Sequence, residues 1–168
     1  MNLARRLTAL SAAAAVVGFG APAFAAGDTA TTNGSATAEV VIPISVTNTA
    51  DLDFGSITPN GSAAVVSMSA AGSRTGSADV LIGGGSPNAA AFTVAGDADR
   101  AFTFTLPAGE ATLASGLDEM TVDTWTSDAP ATVTGGSVSV NVGGALHVAA
   151  AQPAGDYTGT FAVTATYN

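Results

Sequence analysis

The sequence predicts an all-β protein, an antiparallel β-sandwich of roughly eight to ten strands. Three observations lead to this prediction. Apolar residues alternate with small polar ones over short stretches, which is the period of a β-strand rather than of a helix. Turn-forming Gly, Pro, Asn and Asp residues separate these stretches. The chain has no cysteine, so its stability must come from burial and backbone pairing.

The start of the chain has the layout of a secretory signal peptide. Residues 1–25 contain a short basic start, an apolar stretch and a small-x-small cleavage site that ends at Ala25. We expect cleavage there and a secreted product, with a retained N-terminal anchor as the alternative. A flexible polar segment is expected at 26–35, followed by one domain at 36–168.

After this cleavage the chain is strongly acidic. Its only cations are Arg74 and Arg100, against all 13 acidic residues, which is a formal charge of −11. Nucleic-acid binding needs a basic patch, so this class of function is excluded. An anionic membrane surface is disfavoured for the same reason. No later apolar run reaches the length of a membrane span, so no span is expected in the mature chain.

The first predicted strand, ATAEVVIPISVT, has an apolar face. That face is formed by Ala38, Val40, Ile42, Ile44 and Val46. Pro43 cannot donate to a ladder, so the strand should lie at an edge or change partners there. In the next stretch, DLDFGSI, Leu52 and Phe54 point inward. The Asn-Gly pair of TPNG then marks a turn.

The middle of the chain contains further strand patterns. We expect strands at AVVSMSA and DVLIGGG, and a hairpin in AAFTVAGDADRAFTFTLPAG with its turn at 96–100. The stretch 110–119 is ambiguous between a loop and one helical turn. In MTVDTWTSD, Trp125 departs from the parity of Met120 and Val122, which indicates a β-bulge. SVSVNVGGALHVAAA is interpreted as one long strand bent at its glycines, with a tight hairpin as the alternative.

The last stretch, GDYTGTFAVTATYN, predicts a strand with two different faces. One face is lined by threonines and the other is apolar. The apolar face consists of Tyr157, Gly159, Phe161, Val163, Ala165 and Tyr167. Such a face is typical of a strand that is buried on one side.

No group of residues predicts catalysis. His147 is the only imidazole and has the opposite parity to Leu146 and Val148, so we expect it to face solvent. Sequence spacing indicates no Ser/His/Asp arrangement, and one histidine without cysteine disfavours zinc. A calcium site at Asp97 and Asp99 is a weak metal candidate, because the turn lacks the rest of a calcium loop. We therefore expect no enzyme activity and no cofactor.

Two resemblances follow from these motifs. Gly155, the fourteenth residue from the end, and the penultimate Tyr167 flank an alternating strand. This resembles the C-terminal β-zipper of chaperone–usher pilus subunits. The ordered stretches ISVTNTADLDFGSITP, AAFTVAGD, LPAG, VGGALHV and QPAGDYTGTFAVTATYN look like a family of small secreted bacterial domains of unknown function. That family is itself similar to spore coat protein U and fimbrial subunits.

The resemblance implies an immunoglobulin-like, pilin-like sandwich that lacks one strand and receives it from a neighbouring subunit. The implied donor strand is 36–46, with four plugs: Ala38, Val40, Ile42 and Ile44. The implied groove and C-terminal zipper comprise Leu52, Phe54, Gly155, Tyr157, Phe161, Val163 and Tyr167. The implied function is a structural subunit of a surface filament or coat. Its implied partners are further copies of the chain, a periplasmic chaperone and an outer-membrane usher.

Two departures from the pilus pattern keep an alternative open. Many pilus subunits carry a disulfide, whereas this chain has none, and Pro43 interrupts the implied donor. Residues 36–54 could instead fold back and complete their own sandwich. The alternative is therefore a self-contained secreted β-sandwich that acts as a monomeric cell-surface, matrix or glycan-binding module.

Overall fold

The computed structural model describes residues 29–77 and 80–168, so the predicted signal peptide lies outside the described residues. The chain divides into two units, Met1–Ala38 and Glu39–Asn168. In the described part of the first unit, residues 29–38 are exposed and belong to no strand or helix. Within the described ranges, no helix is long and apolar enough to cross a membrane.

The second unit is built from β-strands, which confirms the predicted all-β class. The described residues contain one 3-10 helix, Thr134–Gly136, and eleven strands. The strands are β1 (Ser45–Ala50), β2 (Ile57–Pro59), β3 (Ala64–Met68), β4 (Arg74–Gly76), β5 (Val80–Ile82), β6 (Ala90–Ala95), β7 (Phe102–Thr105), β8 (Ala111–Ser115), β9 (Asp118–Ser127), β10 (Ser137–Val148) and β11 (Thr164–Tyr167).

The strands pair antiparallel throughout and form one large sheet and two small ones. The large sheet has the order β1-β6-β10-β3-β4, and β9 pairs with β10 and with β8. The long strand β10 pairs with β6 through 137–142 and with β3 through 144–148. The small sheets are β11–β7 and β2–β5. Strand β10 therefore organises the large sheet.

The core consists of two apolar clusters between facing strands, which confirms the β-sandwich. The first lies between β6 and β10 on one side and β7 and β11 on the other. Its buried members are Ala90, Phe92, Val94, Phe102, Val133, Val140 and Val142. The second lies on β3, β9 and β10, and its buried members are Phe54, Ala64, Val66, Met68, Val122, Leu146 and Val148. Leu52 and Trp125 pack against both clusters.

Two details of the predicted strands are confirmed. Strand β10 runs through its two glycines without a hairpin. The bulge expected near Trp125 is present, because the register between β9 and β10 shifts there and Thr124 has a φ of 49°. A register shift moves the following side chains to the other parity. This explains why Trp125 departs from the pattern of Met120 and Val122.

The predicted hairpin is wrong. Strand β6 pairs with β1 and β10, whereas β7 pairs with β11, so residues 96–100 connect two sheets. The alternating aromatic residues of both strands face one core from opposite sides, and the ring centroids of Phe92 and Phe104 lie 6.2 Å apart. Alternation shows which face of a strand is buried, but it does not show which strand is the partner.

Two other boundaries differ from the predictions. The first ladder begins at Ser45, and residues 39–44 belong to no strand. Pro43 has no amide hydrogen, which explains why pairing starts only after it. The ambiguous stretch 110–119 is neither a loop nor a helical turn. It contains β8 and the start of β9, which pair antiparallel across a tight turn at Gly116, where φ is 68°.

Candidate functional site

A groove with an apolar floor separates the segment that follows β1 from the last stretch of the chain. It comprises two cavities of about 600 and 370 Å³. One wall is formed by residues 51–59 and the other by 152–161. The two cavities are adjoining because both are lined by Leu52, Phe54, Leu113 and Tyr157. We refer to this feature as the groove.

The floor of the groove is the second core cluster. Its lining includes Leu113, Met120, Val122, Leu146 and Val148, all of which belong to that cluster or pack against it. Leu113 and Met120 are only half-buried, although they lie beside fully buried neighbours. The sandwich therefore opens at this place and shows part of its core to solvent. An apolar floor with a polar rim is typical of interaction sites.

The last stretch of the chain forms the far wall, and its predicted parity is confirmed. The side chains of the apolar face are half-buried, while those between them are exposed, as shown by Tyr157, Phe161, Val163, Ala165 and Tyr167. None of these five is fully buried. The sequence predicts that this face is buried. Within the described part of this chain, however, its side chains are only half-buried.

The backbone of this wall is also incompletely paired. Strand β11 pairs with β7, and Thr158 pairs with Ala114 of β8. Among the described residues, no strand pairs with the other edge of β11. Within the same ranges, no backbone partner is found for 159–163. Such an edge is a template for an additional strand.

Phe161 anchors this wall to the core. Its ring centroid lies 4.6 Å from that of Trp125 and 6.0 Å from that of Phe92, the latter edge to face. The Trp125 indole nitrogen donates to the Gly109 carbonyl at 2.9 Å. Gly159 is required nearby, because a Cβ there would overlap the Thr112 carbonyl oxygen. Residues 159–163 are thus held by side chains rather than by a ladder.

The near wall is held by the pairing of β2 with β5 and by an arginine beside it. Arg74 donates from Nη1 to the Phe54 carbonyl at 2.5 Å and from Nη2 to the Gly83 carbonyl at 2.7 Å. An isolated bridge, Asp53 with Asn88, also pairs this wall with the segment before β6. The planar guanidinium can reach both carbonyls at once, so it holds two loops in a fixed relation.

The four implied donor residues have different environments. Val40 and Ile42 are 96% and 59% exposed, which is unusual for large apolar side chains. Ala38 is also exposed. Ile44 differs, because it packs against the first core cluster beside Val46 of β1. The apolar alternation that continues through 36–46 in the sequence is therefore divided near Pro43.

Tyr167 contacts the base of this N-terminal segment rather than the groove. Its hydroxyl donates to the Ile42 carbonyl at 2.9 Å and accepts from the Asp97 amide. The guanidinium carbon of Arg100 lies 5.2 Å from the centre of the Tyr167 ring. Arg100 Nη1 also lies 3.3 Å from Glu39 Oε1. We refer to Tyr167, Arg100 and their contacts with 39–42 as the latch.

The polar residues considered for chemistry are engaged in local contacts. His147 is exposed, as predicted, and its Nε2 lies 2.9 Å from Asp123 Oδ1. The hydrogen bond with His147, followed by that with Thr124, holds the pKa of Asp123 below its ordinary value. Asp97 lies 3.6 Å from Arg100, and Asp99 accepts from the Gly135 amide. Within the described residues, no group of three or more potential ligands could hold a metal ion.

The structure brings together part of the predicted groove and adds residues that sequence reasoning missed. Leu52, Phe54, Gly155, Tyr157 and Phe161 line it, whereas Val163 and Tyr167 lie beyond it. The missed floor residues include Leu113, which falls in the stretch without a clear pattern. Arg74 was also missed, because its partners are carbonyl groups, which carry no sequence signal.

One comparison identifies a family, and two find nothing. A family model with the description "Domain of unknown function (DUF4402)" matches residues 44–167. The match begins where Ile44 enters the core and includes both walls of the groove. No match was found for this chain among the curated proteins or among the solved structures.

Proposed function

The chain belongs to the DUF4402 family, and we propose that it is a non-enzymatic structural subunit of a bacterial surface filament or coat. In this proposal, the subunits are joined by β-strand complementation: the segment 36–42 of one copy enters the groove of another. The observation that carries the proposal is the open core of the groove, bordered by a strand edge with no partner in the described residues.

The N-terminal segment fits the groove in length and chemistry. As an extended strand, 36–42 spans about 23 Å, at ~3.3 Å per residue, and its seven residues match in number the residues 155–161 of the far wall. Alternate apolar side chains of the segment would face the floor while its threonine and acid face solvent. Burial of a large apolar side chain such as Val40 or Ile42 contributes about 1.5–3 kcal/mol.

The backbone adds a second contribution. Each hydrogen bond that a donated strand makes contributes about 0.5–1.5 kcal/mol net, and a ladder along the wall would contain several. The sum supports a long-lived, non-covalent joint. Because nothing covalent is formed, the joint should survive mild detergent but not boiling. This expectation gives the proposal a simple gel assay.

The proposal also includes a route of export. The predicted signal peptide would direct the chain to the periplasm, and assembly would place it on the cell surface or outside the cell. An open apolar groove is an aggregation hazard in transit. We therefore propose that a periplasmic chaperone covers the groove until assembly, and that an outer-membrane usher is the site of assembly.

The test compares two substitutions in the donor segment. Native surface material is run on a denaturing gel with and without boiling. The wild-type chain is expected to give a heat-sensitive ladder, and Val40→Asp should abolish it because a charge would enter the apolar floor. Thr37→Asp adds the same charge on the opposite parity and should leave the ladder unchanged. A single monomer band from the wild type in both lanes would overturn the proposal.

A second candidate function has one observation in its favour. The volume of the larger cavity lies within the range of small-molecule sites, and polar Asp53, Gln152 and Asp156 line it together with Tyr157. The alternative is a monomeric binding module, for example for glycans. It predicts monomers on the gel and ligand binding that depends on Tyr157 but not on Val40. Variants of Val40 and of Tyr157 therefore distinguish the two functions.

A further inference from the structure

We infer that ionic strength controls how fast the subunits join, because the negative charge of Glu39 both holds the N-terminal segment in the latch and opposes its entry into a groove. This inference rests on the proposed function and concerns the rate of joining, not the stability of the joint once it has formed. It depends on the ion pair of the latch, the acidic residues beside the groove and the charge of the whole chain. Each of the three opposes joining at low salt and is weakened by salt.

The latch attaches the segment to its own domain. Glu39 Oε1 lies 3.3 Å from Arg100 Nη1, and the Ile42 carbonyl accepts a hydrogen bond from the Tyr167 hydroxyl at 2.9 Å. A donated strand pairs its backbone with the walls of the groove that it enters, so these contacts must be released before the segment can be donated. The latch is therefore an autoinhibitory contact, and its opening is a step that precedes joining.

The ion pair is the part of the latch that salt can weaken. The side chains of Glu39 and Arg100 are 76% and 33% exposed, so solvent ions reach the pair. The Debye length falls from ~30 Å at about 0.01 M salt to ~8 Å at about 0.15 M, and exposed pairs weaken accordingly. Arg100 also lies 3.6 Å from Asp97, so the release of Glu39 leaves the guanidinium with an acidic partner. Opening should therefore become easier as salt is added.

Three exposed carboxylates lie at the groove. Asp53 and Asp156 line the larger cavity and Asp51 lines the smaller one, and we refer to these three as the rim. Two of them accept hydrogen bonds from neighbouring amides, which leave their negative charge in place. Among the described residues that line the two cavities, none is a lysine or an arginine. Arg74 beside the near wall supplies one positive charge against the three negative charges of the rim.

A donated segment brings a further negative charge to the rim. Glu39 is the only charged residue of 36–42, and it has the opposite parity to Ala38 and Val40. With the apolar side chains on the floor, the carboxylate faces solvent beside the rim. Because strands in a sheet lie ~4.8 Å apart, a strand between the two walls brings this carboxylate within about 10 Å of the rim. At low salt this distance is shorter than the Debye length, so the like charges repel one another.

The charge of the whole chain acts in the same direction over a longer range. After the expected cleavage the chain has two arginines against 13 acidic residues, which is a formal charge of −11. Molecules with a large charge of the same sign meet more slowly at low ionic strength, and salt screens this repulsion. A substitution of one acidic residue changes the total charge only slightly. Single substitutions can therefore distinguish the local effect of Glu39 from the repulsion between whole molecules.

The test measures the rate of joining as a function of salt. The exported chain is purified as a monomer and incubated in NaCl, and multimers are quantified on unboiled denaturing gels at successive times. We expect the initial rate to rise at least about tenfold between roughly 10 and 150 mM NaCl. A rate that stays constant or falls with salt would overturn the inference and leave strand complementation standing. A chain that forms no multimers at any salt concentration would overturn the proposed function and the inference with it.

A charge variant assigns the local effect to Glu39. Glu39→Gln removes the ion pair and the repulsion from the rim together, so it should join about five- to tenfold faster than the wild type at about 10 mM NaCl and at a similar rate at about 150 mM. Asp123→Asn is the matched control. It removes one charge from the solvent face of β9, on the opposite parity to Val122 of the groove floor, and should keep the wild-type salt dependence. A Glu39→Gln chain with the wild-type salt dependence would contradict the inference.

A second variant separates the hydrogen bond of the latch from its ion pair. Tyr167→Phe removes the bond to the Ile42 carbonyl and keeps an aromatic ring beside Arg100. Salt does not screen a hydrogen bond between neutral groups, so the rate should rise about two- to tenfold at every salt concentration, with the salt dependence unchanged. Thr103→Val is the control, because it removes only the Thr103 bond to Asn168 on the same strand pair.

The result for Tyr167→Phe tests the autoinhibitory role directly. A rate no higher than that of Thr103→Val would show that the latch does not restrain the segment, which would overturn the inference. Thermal unfolding of each variant verifies that the domain remains folded.

Discussion

Strand β10 and the last stretch of the chain, 155–167, have similar sequence patterns but different environments. Both alternate apolar residues with small polar ones. Strand β10 has partners on both edges, and Val140, Val142 and Leu146 are almost completely buried. In the part of the chain that the structure describes, the last stretch has strand partners on one edge, and its apolar side chains are only half-buried. Strand β10 is largely buried, whereas the apolar face of the last stretch is only half-buried within the described residues.

The difference identifies the last stretch as a place where apolar side chains are not fully buried within the described residues. Half-buried apolar groups in β-structure have been brought out of water only in part, so a further strand would gain the remaining burial. The unpaired edge adds hydrogen-bond capacity at the same place. Substitutions in β10 should therefore affect folding, while substitutions in the groove and the donor segment should affect assembly. The predictions below test this separation.

The largest effect is expected for Leu146→Ala. Leu146 is 1% exposed, and its truncation leaves a cavity in the second core cluster, so the free energy of unfolding should fall by about 2–5 kcal/mol. Val163→Ala on the half-buried face of the last stretch should cost about 1 kcal/mol. Urea unfolding of both variants measures the difference. Equal losses in the free energy of unfolding would show that the last stretch is packed as fully as β10.

The next effect separates two neighbouring isoleucines. Ile44→Asp places a carboxylate against the first core cluster and should lower the free energy of unfolding by about 2–4 kcal/mol. Ile42→Asp should change it by no more than about 0.5 kcal/mol, because this side chain is largely exposed. The heat-sensitive ladder should nevertheless be lost in Ile42→Asp. Retention of the ladder would remove Ile42 from the donor strand.

A smaller effect is expected for Arg74→Lys at the near wall. Lysine keeps the charge but cannot reach the Phe54 and Gly83 carbonyls in the same forked geometry. The loss should be about 1.5–3 kcal/mol if both charged hydrogen bonds fail. Hydrogen exchange should increase at Ser56 and Gly83, whose amides bond across the two loops. Unchanged exchange there would show that the wall is held by other contacts.

The smallest effect concerns pH. The pKa of Asp123 is lowered in the folded state, so its contribution to stability is present above its ordinary pKa of about 3.9 and is lost as pH falls through the folded value. Asp123→Asn should therefore weaken the fall in stability that occurs as pH decreases below the ordinary pKa of an aspartate. Asp118→Asn on the same strand serves as the control. Identical acid profiles of the wild type and Asp123→Asn would contradict the assignment.

The sequence predicts burial better than pairing. The alternation of the last stretch correctly predicts which of its side chains turn inward, because parity follows from backbone geometry alone. The same rule fails for the hairpin between β6 and β7, since both strands contribute to one core but belong to different sheets. Pro43 lies just before the start of the first ladder, but the pattern does not show that Ile44 packs while Ile42 is exposed.

The sequence predicts the apolar residues of the groove walls, but it does not predict the hydrogen bonds that hold the surrounding segments in place. Leu52, Phe54 and Phe161 follow from parity. The contacts of Arg74 with carbonyls and of Tyr167 with Ile42 depend on loop positions far apart in the chain, which local patterns do not encode. Burial patterns likewise describe which face of a strand is apolar without showing which strand covers it.

The most direct test of strand complementation is the binding of a donor peptide to the groove. A synthetic peptide with the sequence of residues 36–42 is added to the purified monomer, and Tm and hydrogen exchange are followed. We predict a Tm that rises with peptide concentration, since the peptide binds the folded state, together with slower exchange at 159–163. A peptide with Val40→Asp should have neither effect. An unchanged Tm and unchanged exchange at saturating native peptide would contradict the account.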